Sequence, residues 1–192
     1  IYGGSAPSTP YCANNDGHGP AWANSLFEDN AEYGYGMAFG INGLRNRIAE
    51  KMQAAIKEGA SGATKEAFEA WIEHMEDAEK SKEASAKVIE VCEQDSSELA
   101  KDILKLKQYL VKKSVWVFGG DGWAYDIGYG GLDHVLGTGD DVNILVMDTE
   151  VYSNTGGQAS KATPVGAVAK FAASGMKVRK KDLGMMAMTY GH

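Results

Sequence analysis

Two short apolar runs, each closing on a loop of glycines and oxygen-bearing side chains, constrain this chain more than any other feature. Val115-Trp116-Val117-Phe118 stops at Gly119-Gly120-Asp121-Gly122. Val142 to Val146 leads into Asp148-Thr149-Glu150-Val151-Tyr152-Ser153-Asn154-Thr155-Gly156-Gly157-Gln158. Apolar runs this short read as strands, and unbroken ones such as Ile144-Leu145-Val146 suit a strand covered on both faces, as in a parallel sheet. Asp126 to Val135, with Ile127 and Leu132, reads as the helix between them. Strand, helix, strand is a βαβ unit with a right-handed crossover.

Such a unit delivers both carboxyl strand ends to one edge, where open α/β sheets bind ligands. Gly120 and Gly122 allow a sharp turn and a close approach of backbone to phosphate. Asp121 supplies an anionic oxygen, and the N-terminus of the following helix attracts phosphate without a basic side chain. Mg²⁺ shares its octahedral oxygen shell between one or two carboxylates, substrate phosphates and water, so a cation held here can bridge a diphosphate. Taken alone, Gly-Asp-Gly is equally a common tight turn. Its pairing with the second strand end makes it a candidate site.

Asp121 and Thr149 are 28 residues apart, and Val151 follows closely. This spacing resembles the thiamine diphosphate motif, in which an Asp is followed by a side-chain ligand and then a carbonyl ligand. Thr149 stands where that motif usually has Asn. With Tyr152 to Gln158 behind it, the departure narrows the resemblance to the 2-oxoacid:ferredoxin oxidoreductases. The opening Ile1-Tyr2-Gly3-Gly4-Ser5-Ala6-Pro7-Ser8-Thr9-Pro10-Tyr11 and the stretch Gly19 to Glu32 are similar to the pyruvate-oxidising members of that family. The likeness covers nearly the whole chain outside its helical middle.

The resemblance implies a thiamine diphosphate-binding α/β fold with a mostly parallel sheet, flanking helices and a helical insertion. It implies that Asp121, the Thr149 hydroxyl and the Val151 carbonyl ligate Mg²⁺. Gly120, Gly122, Trp123, Glu150, Tyr152 and Ser153 would surround the diphosphate, and Asn154 would reach the reacting ring and substrate as the catalytic residue. In this family pyruvate is oxidatively decarboxylated, coenzyme A takes the acetyl group, and electrons pass through [4Fe–4S] clusters to ferredoxin or flavodoxin. The cluster ligands, the carboxylate that activates the cofactor and the residues that grip pyruvate would lie outside this chain, on other domains of a polypeptide that pairs as a homodimer. The fragment alone is expected to be inactive. Another 2-oxoacid oxidoreductase, or a non-catalytic α/β interaction module, is the alternative.

The rest of the sequence frames that site. Residues 1 to about 42 are rich in Gly, Pro, Ser and Asn with scattered aromatics, and read as irregular backbone with a short helix beginning near Trp22 to Asn30. Loops of this kind on a rigid scaffold often carry binding residues. Residues about 43 to 113 form a helical insertion within a single domain spanning 1 to 192. Leu44, Ile48, Met52 and Ile56 make one stripe; Phe68, Trp71, Ile72 and Met75 a second; Val88, Ile89 and Cys92 a third; and Leu99, Ile103, Leu106 and Leu110 a fourth. Gly59 and Gly62 interrupt the first pair, and Asp95-Ser96-Ser97 precedes the last as a cap.

A net charge of −7 carries no basic nucleic-acid footprint. No apolar stretch is long enough to span a bilayer, and Ile1 to Ser5 lacks the pattern of a signal peptide, so a cytoplasmic setting is expected. Cys12 and Cys92 form neither a CxxC pair nor a disulfide framework, which fits a reducing compartment. Both chain ends look like cuts through a longer polypeptide. His18, His74, His134 and His192 have no metal-ligand spacing. Asp140, Asp141 and Asn143 could lend oxygens to a structural Ca²⁺, though an acidic turn is the simpler reading. Met185, Met186 and Met188 follow the N-cap candidate Asp182 and suit core packing. Lys177, Arg179, Lys180 and Lys181 read as a solvated basic turn.

Overall fold

The computed structural model describes residues 15, 17, 19–21, 23, 25, 27–60 and 62–191. The opening Ile1 to Tyr11, Cys12, His18, Trp22 and His192 lie outside them. The chain divides into two compact units, residues 37–114 and the remainder.

The unit of residues 37–114 is helical. α1 (Asn30–Lys57) contributes its larger part, followed by α2 (Gly62–His74), α3 (Ala78–Glu93), α4 (Glu98–Lys105) and a 3₁₀ turn at Lys107–Tyr109. Gly59 and Gly62 both take positive φ, +107° and +58°, which is where the chain leaves one helix and enters the next. Asp77 caps α3 by accepting from the N–H groups of Glu79 and Lys80, and Ser97 caps α4 by accepting from Ala100 N–H. The four apolar stripes meet in one core of Ile48, Met52, Phe68, Trp71, Val88, Cys92, Ile103 and Leu110. Arg45 is buried among them at 1% exposure. Its guanidinium donates to the carbonyls of Tyr109 (2.6 Å), Leu110 (2.8 Å) and Met75, all near helix ends, and the Trp71 indole N–H also donates to the Leu110 carbonyl at 3.0 Å. Burial pushes the Arg45 pKa down, opposed by the charge of Glu76.

In the other unit, β1 (Trp116–Gly119) pairs in parallel with β2 (Asn143–Val146), Val117 opposite Ile144. A π-helical segment (Gly122–Asp126) and α5 (Tyr129–Thr138) connect them. The predicted helix over Asp126 to Val135 is found as α5, beginning three residues later at Tyr129, and an under-wound turn that starts directly after Asp121 precedes it. Beyond β2 the chain forms a small antiparallel pair, β3 (Val151–Tyr152) with β4 (Gln158–Ala159), and ends in α6 (Leu183–Met188). Asp182 caps α6 by accepting from Met185 N–H at 3.0 Å.

The core of this unit gathers Ala31, Val117, Trp123, Ala124, Leu132, Val135 and Ala162. Among the described residues, only one face of the β1–β2 pair lies against it. Leu145 and Met147, on the other face, are 44% and 51% exposed, so the unbroken apolar run is not covered on both sides here. The methionines correct a second expectation. Met185, Met186 and Met188 are exposed, because the six-residue helix turns them outward. The start of α1 corrects a third: helix begins at Asn30, inside the stretch that reads as irregular. One of its glycines admits a neighbour: a Cβ at Gly34 would lie 2.2 Å from Val117 Cγ2.

Candidate cofactor and metal site

Asp121 follows the carboxyl end of β1 and is 2% exposed. Its side chain meets the loop that leaves β2. The Thr149 hydroxyl donates to Asp121 Oδ2 at 2.6 Å, and the Thr149 N–H donates to the same oxygen at 3.2 Å. The Thr149 hydroxyl also lies 3.1 Å from the Val151 carbonyl oxygen. The intervening Glu150 has φ +67°, a left-handed conformation that a residue with a side chain adopts at a cost of about 1 kcal/mol. That reversal turns the Thr149 hydroxyl and the Val151 carbonyl to the same side. Thr163, itself 1% exposed, holds the reversal by donating from its hydroxyl to the Glu150 carbonyl at 2.5 Å.

This cluster has more oxygens than protons. A hydroxyl carries one hydrogen, which cannot serve Asp121 Oδ2 and the Val151 carbonyl together. Asp121 Oδ1 is buried with no hydrogen-bond partner among the described residues. Buried acceptors without donors are costly and rare, and hard oxygens gathered this way are the donor set of Mg²⁺. The residues present therefore fit a divalent cation of that kind.

Burial raises the Asp121 pKa, the nearby Asp148 adds to the rise, and the hydrogen bonds from Thr149 oppose it. Asp148 behaves differently. Burial disfavours its charge too, but Lys180 and Tyr125 outweigh it and hold the Asp148 carboxyl below the usual range. Lys180 Nζ sits 2.6 Å from Asp148 Oδ2, the Tyr125 hydroxyl donates to that oxygen at 2.8 Å, and Glu150 N–H donates to Oδ1 at 3.1 Å. The Tyr125 phenol is pushed up, first by burial and then by its bond to Asp148.

Comparison with known proteins assigns both halves of this chain. Residues 44–99 match the family model described as pyruvate-ferredoxin oxidoreductase, insertion domain, and residues 104–192 match the thiamine pyrophosphate enzyme, C-terminal TPP binding domain. The whole chain is 55% identical to a pyruvate-flavodoxin oxidoreductase of Klebsiella pneumoniae and 54% identical to a pyruvate:ferredoxin oxidoreductase of Moorella thermoacetica. The chain belongs to the pyruvate:ferredoxin (flavodoxin) oxidoreductase family. It spans 17% of the length of each of those two relatives. A pyruvate dehydrogenase [NADP(+)] of Cryptosporidium parvum is 43% identical over all of this chain, which spans 12% of that relative.

The other residues of the family motif are distributed as follows. Gly122 faces the Tyr152 ring so closely that a Cβ there would lie 2.1 Å from it. Gly120 is open, with Met147 O at 3.9 Å from the position of an added Cβ. Trp123 is 1% exposed; its ring packs in the core, and its indole N–H has no partner among the described residues. Ser153 and Asn154 lie exposed on the turn between β3 and β4, and neither bonds to Asp121, Thr149 or Val151 in the described structure. Gly157 N–H closes that turn on the Tyr152 carbonyl at 2.8 Å.

Three residues around the site are not marked as part of it by the sequence, Tyr125, Thr163 and Lys180, and Asp148 reads there only as opening the second strand-end loop. Asp148 adjoins Thr149 and was legible as a strand-end carboxylate. Lys180 belongs to the stretch read as a solvated turn, which is corrected here. Besides the Asp148 pair, Lys180 Nζ lies 5.7 Å from the Tyr125 ring centroid, and Lys181 donates to the Tyr125 carbonyl at 3.1 Å while lying over the Tyr129 ring. At the Ca²⁺ candidate, Asn143 Nδ2 donates to the Val115 carbonyl at 3.2 Å. No group of three His, Cys, Asp or Glu among the described residues has the arrangement of a metal site.

Proposed function

We propose that this chain is the cofactor-binding part of a pyruvate:ferredoxin or pyruvate:flavodoxin oxidoreductase, a single domain interrupted by the helical segment of about 43 to 113. The observation that carries the reading is the convergence of Asp121, the Thr149 hydroxyl and the Val151 carbonyl on one oxygen-rich point beside an unpartnered carboxylate oxygen. Asp121, Thr149 and Val151 would hold Mg²⁺ there. Thiamine diphosphate, when bound, supplies the electron sink for decarboxylating a 2-oxoacid, and the protein supplies binding, orientation and electrostatics.

Each residue then has a task. Asp121 gives the cation an anionic oxygen from a buried position, where its charge is least screened. Thr149 orients that carboxylate through two donors. Glu150, fixed by Thr163, aims the neighbouring hydroxyl and carbonyl. Gly120, Gly122 and the start of the π-helical turn present backbone N–H groups to phosphate oxygens, and the absence of a Gly122 side chain admits the Tyr152 ring. Ser153 and Asn154, on the exposed turn, are the residues available to the diphosphate and the substrate.

The relatives' printed names support pyruvate as substrate and ferredoxin or flavodoxin as electron acceptor. Coenzyme A, [4Fe–4S] clusters ligated elsewhere in the polypeptide, partner domains, a homodimer and a cytoplasmic location complete the proposal. No helix among the described residues is long and apolar enough to cross a membrane. Calorimetric titration of the full-length polypeptide with thiamine diphosphate and Mg²⁺ tests it. Mg²⁺-dependent binding that Asp121→Asn abolishes is the expected result, and unchanged binding in that variant overturns the assignment.

A further inference from the structure

Two carboxylates lie at this edge, Asp121 after β1 and Asp148 in the loop after β2, yet the structure treats them oppositely. Asp121 keeps one buried oxygen unpartnered, whereas Asp148 has every oxygen engaged: Oδ1 by Glu150 N–H, Oδ2 by the Tyr125 hydroxyl and by Lys180 Nζ. Asp148 directly precedes Thr149, whose N–H and hydroxyl both donate to Asp121 Oδ2, so the two carboxylates share this strand edge. Freed from its donors, Asp148 would be a second anionic oxygen ligand beside the first. The Lys180 contact is the one that carries charge, and its side chain and that of Asp148 are only 33% and 29% exposed. Lys180 reaches this place from 32 residues beyond Asp148, with its ammonium also facing the Tyr125 ring.

We propose that Lys180 is a positioning residue for the cation site: with Tyr125 it holds Asp148 out of the cation's shell, leaving one carboxylate and a compact donor set suited to Mg²⁺ rather than Ca²⁺. Mg²⁺ binds through one or two carboxylates and keeps phosphates and water, while Ca²⁺ gains from additional, flexible carboxylate oxygens. Lys180 also cancels the Asp148 charge, which would otherwise oppose an incoming diphosphate. This inference rests on the cofactor reading above.

The test is calorimetric titration of the full-length apo protein with Mg²⁺ and with Ca²⁺, each at a fixed concentration of thiamine diphosphate. Lys180→Met is expected to raise Ca²⁺ affinity relative to Mg²⁺ by about tenfold or more and to weaken thiamine diphosphate binding, the scale of one uncompensated charge at close range. Lys180→Arg is expected to keep the wild-type ratio, and Asp148→Asn added to Lys180→Met to restore it, because the effect acts through Asp148. Tyr125→Phe removes one hold without removing charge and should shift the ratio the same way by less; it also serves if Lys180→Met does not fold. A Ca²⁺/Mg²⁺ ratio unchanged in Lys180→Met and Tyr125→Phe, in protein that still binds cofactor, overturns the inference alone. Failure of the wild type to bind either ion with thiamine diphosphate overturns the cofactor reading and this inference with it.

Discussion

The Thr149 hydroxyl lies 2.6 Å from Asp121 Oδ2, joining the ends of β1 and β2 across 28 residues of chain. Thr149→Val leaves that buried oxygen with only the backbone donor at 3.2 Å. A weakened buried acceptor costs about 1–2 kcal/mol. Urea denaturation should show a loss of that size for Thr149→Val and little for Thr149→Ser. The valine variant should also bind thiamine diphosphate more weakly at limiting Mg²⁺, since the donor lost in one state is the proposed ligand lost in the other.

Gly122 and the Tyr152 ring occupy space that cannot also hold a methyl group, as an added Cβ would lie 2.1 Å away. Gly122→Ala must push Tyr152 aside or distort the turn after Asp121, with a destabilisation of about 1–3 kcal/mol. Thermal denaturation measures it. Tyr152→Ala in the same chain should recover most of the loss, and a double variant no better than the single one would show that the glycine is needed for its backbone instead.

In the helical unit, Asp102 accepts from Lys51 at 2.8 Å and Lys105 at 3.1 Å, and these bonds and charges hold its carboxyl near 2, against an ordinary 3.8. A folded pKa below the unfolded one stabilises at pH values above 3.8, and that contribution disappears as pH falls through about 2. Asp102→Asn should therefore lower the urea midpoint slightly at pH 7, as exposed pairs contribute little. The difference should shrink as pH falls toward 2 and vanish only below it.

Asp121, Thr149 and Val151 were legible in the sequence because strand ends and glycines are local signals, and the fold brings local signals at two strand ends to one edge. The four helical stripes were legible for the same reason, their period being written in neighbouring residues. What escaped depends on distant partners. Lys180 looks like any lysine of a basic turn until the fold sets it against Asp148, and Arg45 looks like part of a charged helix face until three carbonyls close on it. The early start of α1 is another such case, since Gly34 and Gly36 lower helix propensity locally while the close approach of Val117 at Gly34 repays it through packing. Met185, Met186 and Met188 show the converse, apolar residues whose local pattern suggested a core that the described residues do not supply.

The under-wound turn of Gly122–Asp126 has a consequence of its own. A π turn accommodates one residue more than an α turn of the same rise, so its shape is set by residue number as well as by residue type. Removing any single residue between Gly122 and Asp126 would let the segment relax to ordinary winding and rotate everything joined to it. Natural variation here should consequently proceed by exchange of side chains and not by change of length, because a shortened turn would swing the aspartate away from its threonine even with Asp121, Thr149 and Val151 all still in the sequence.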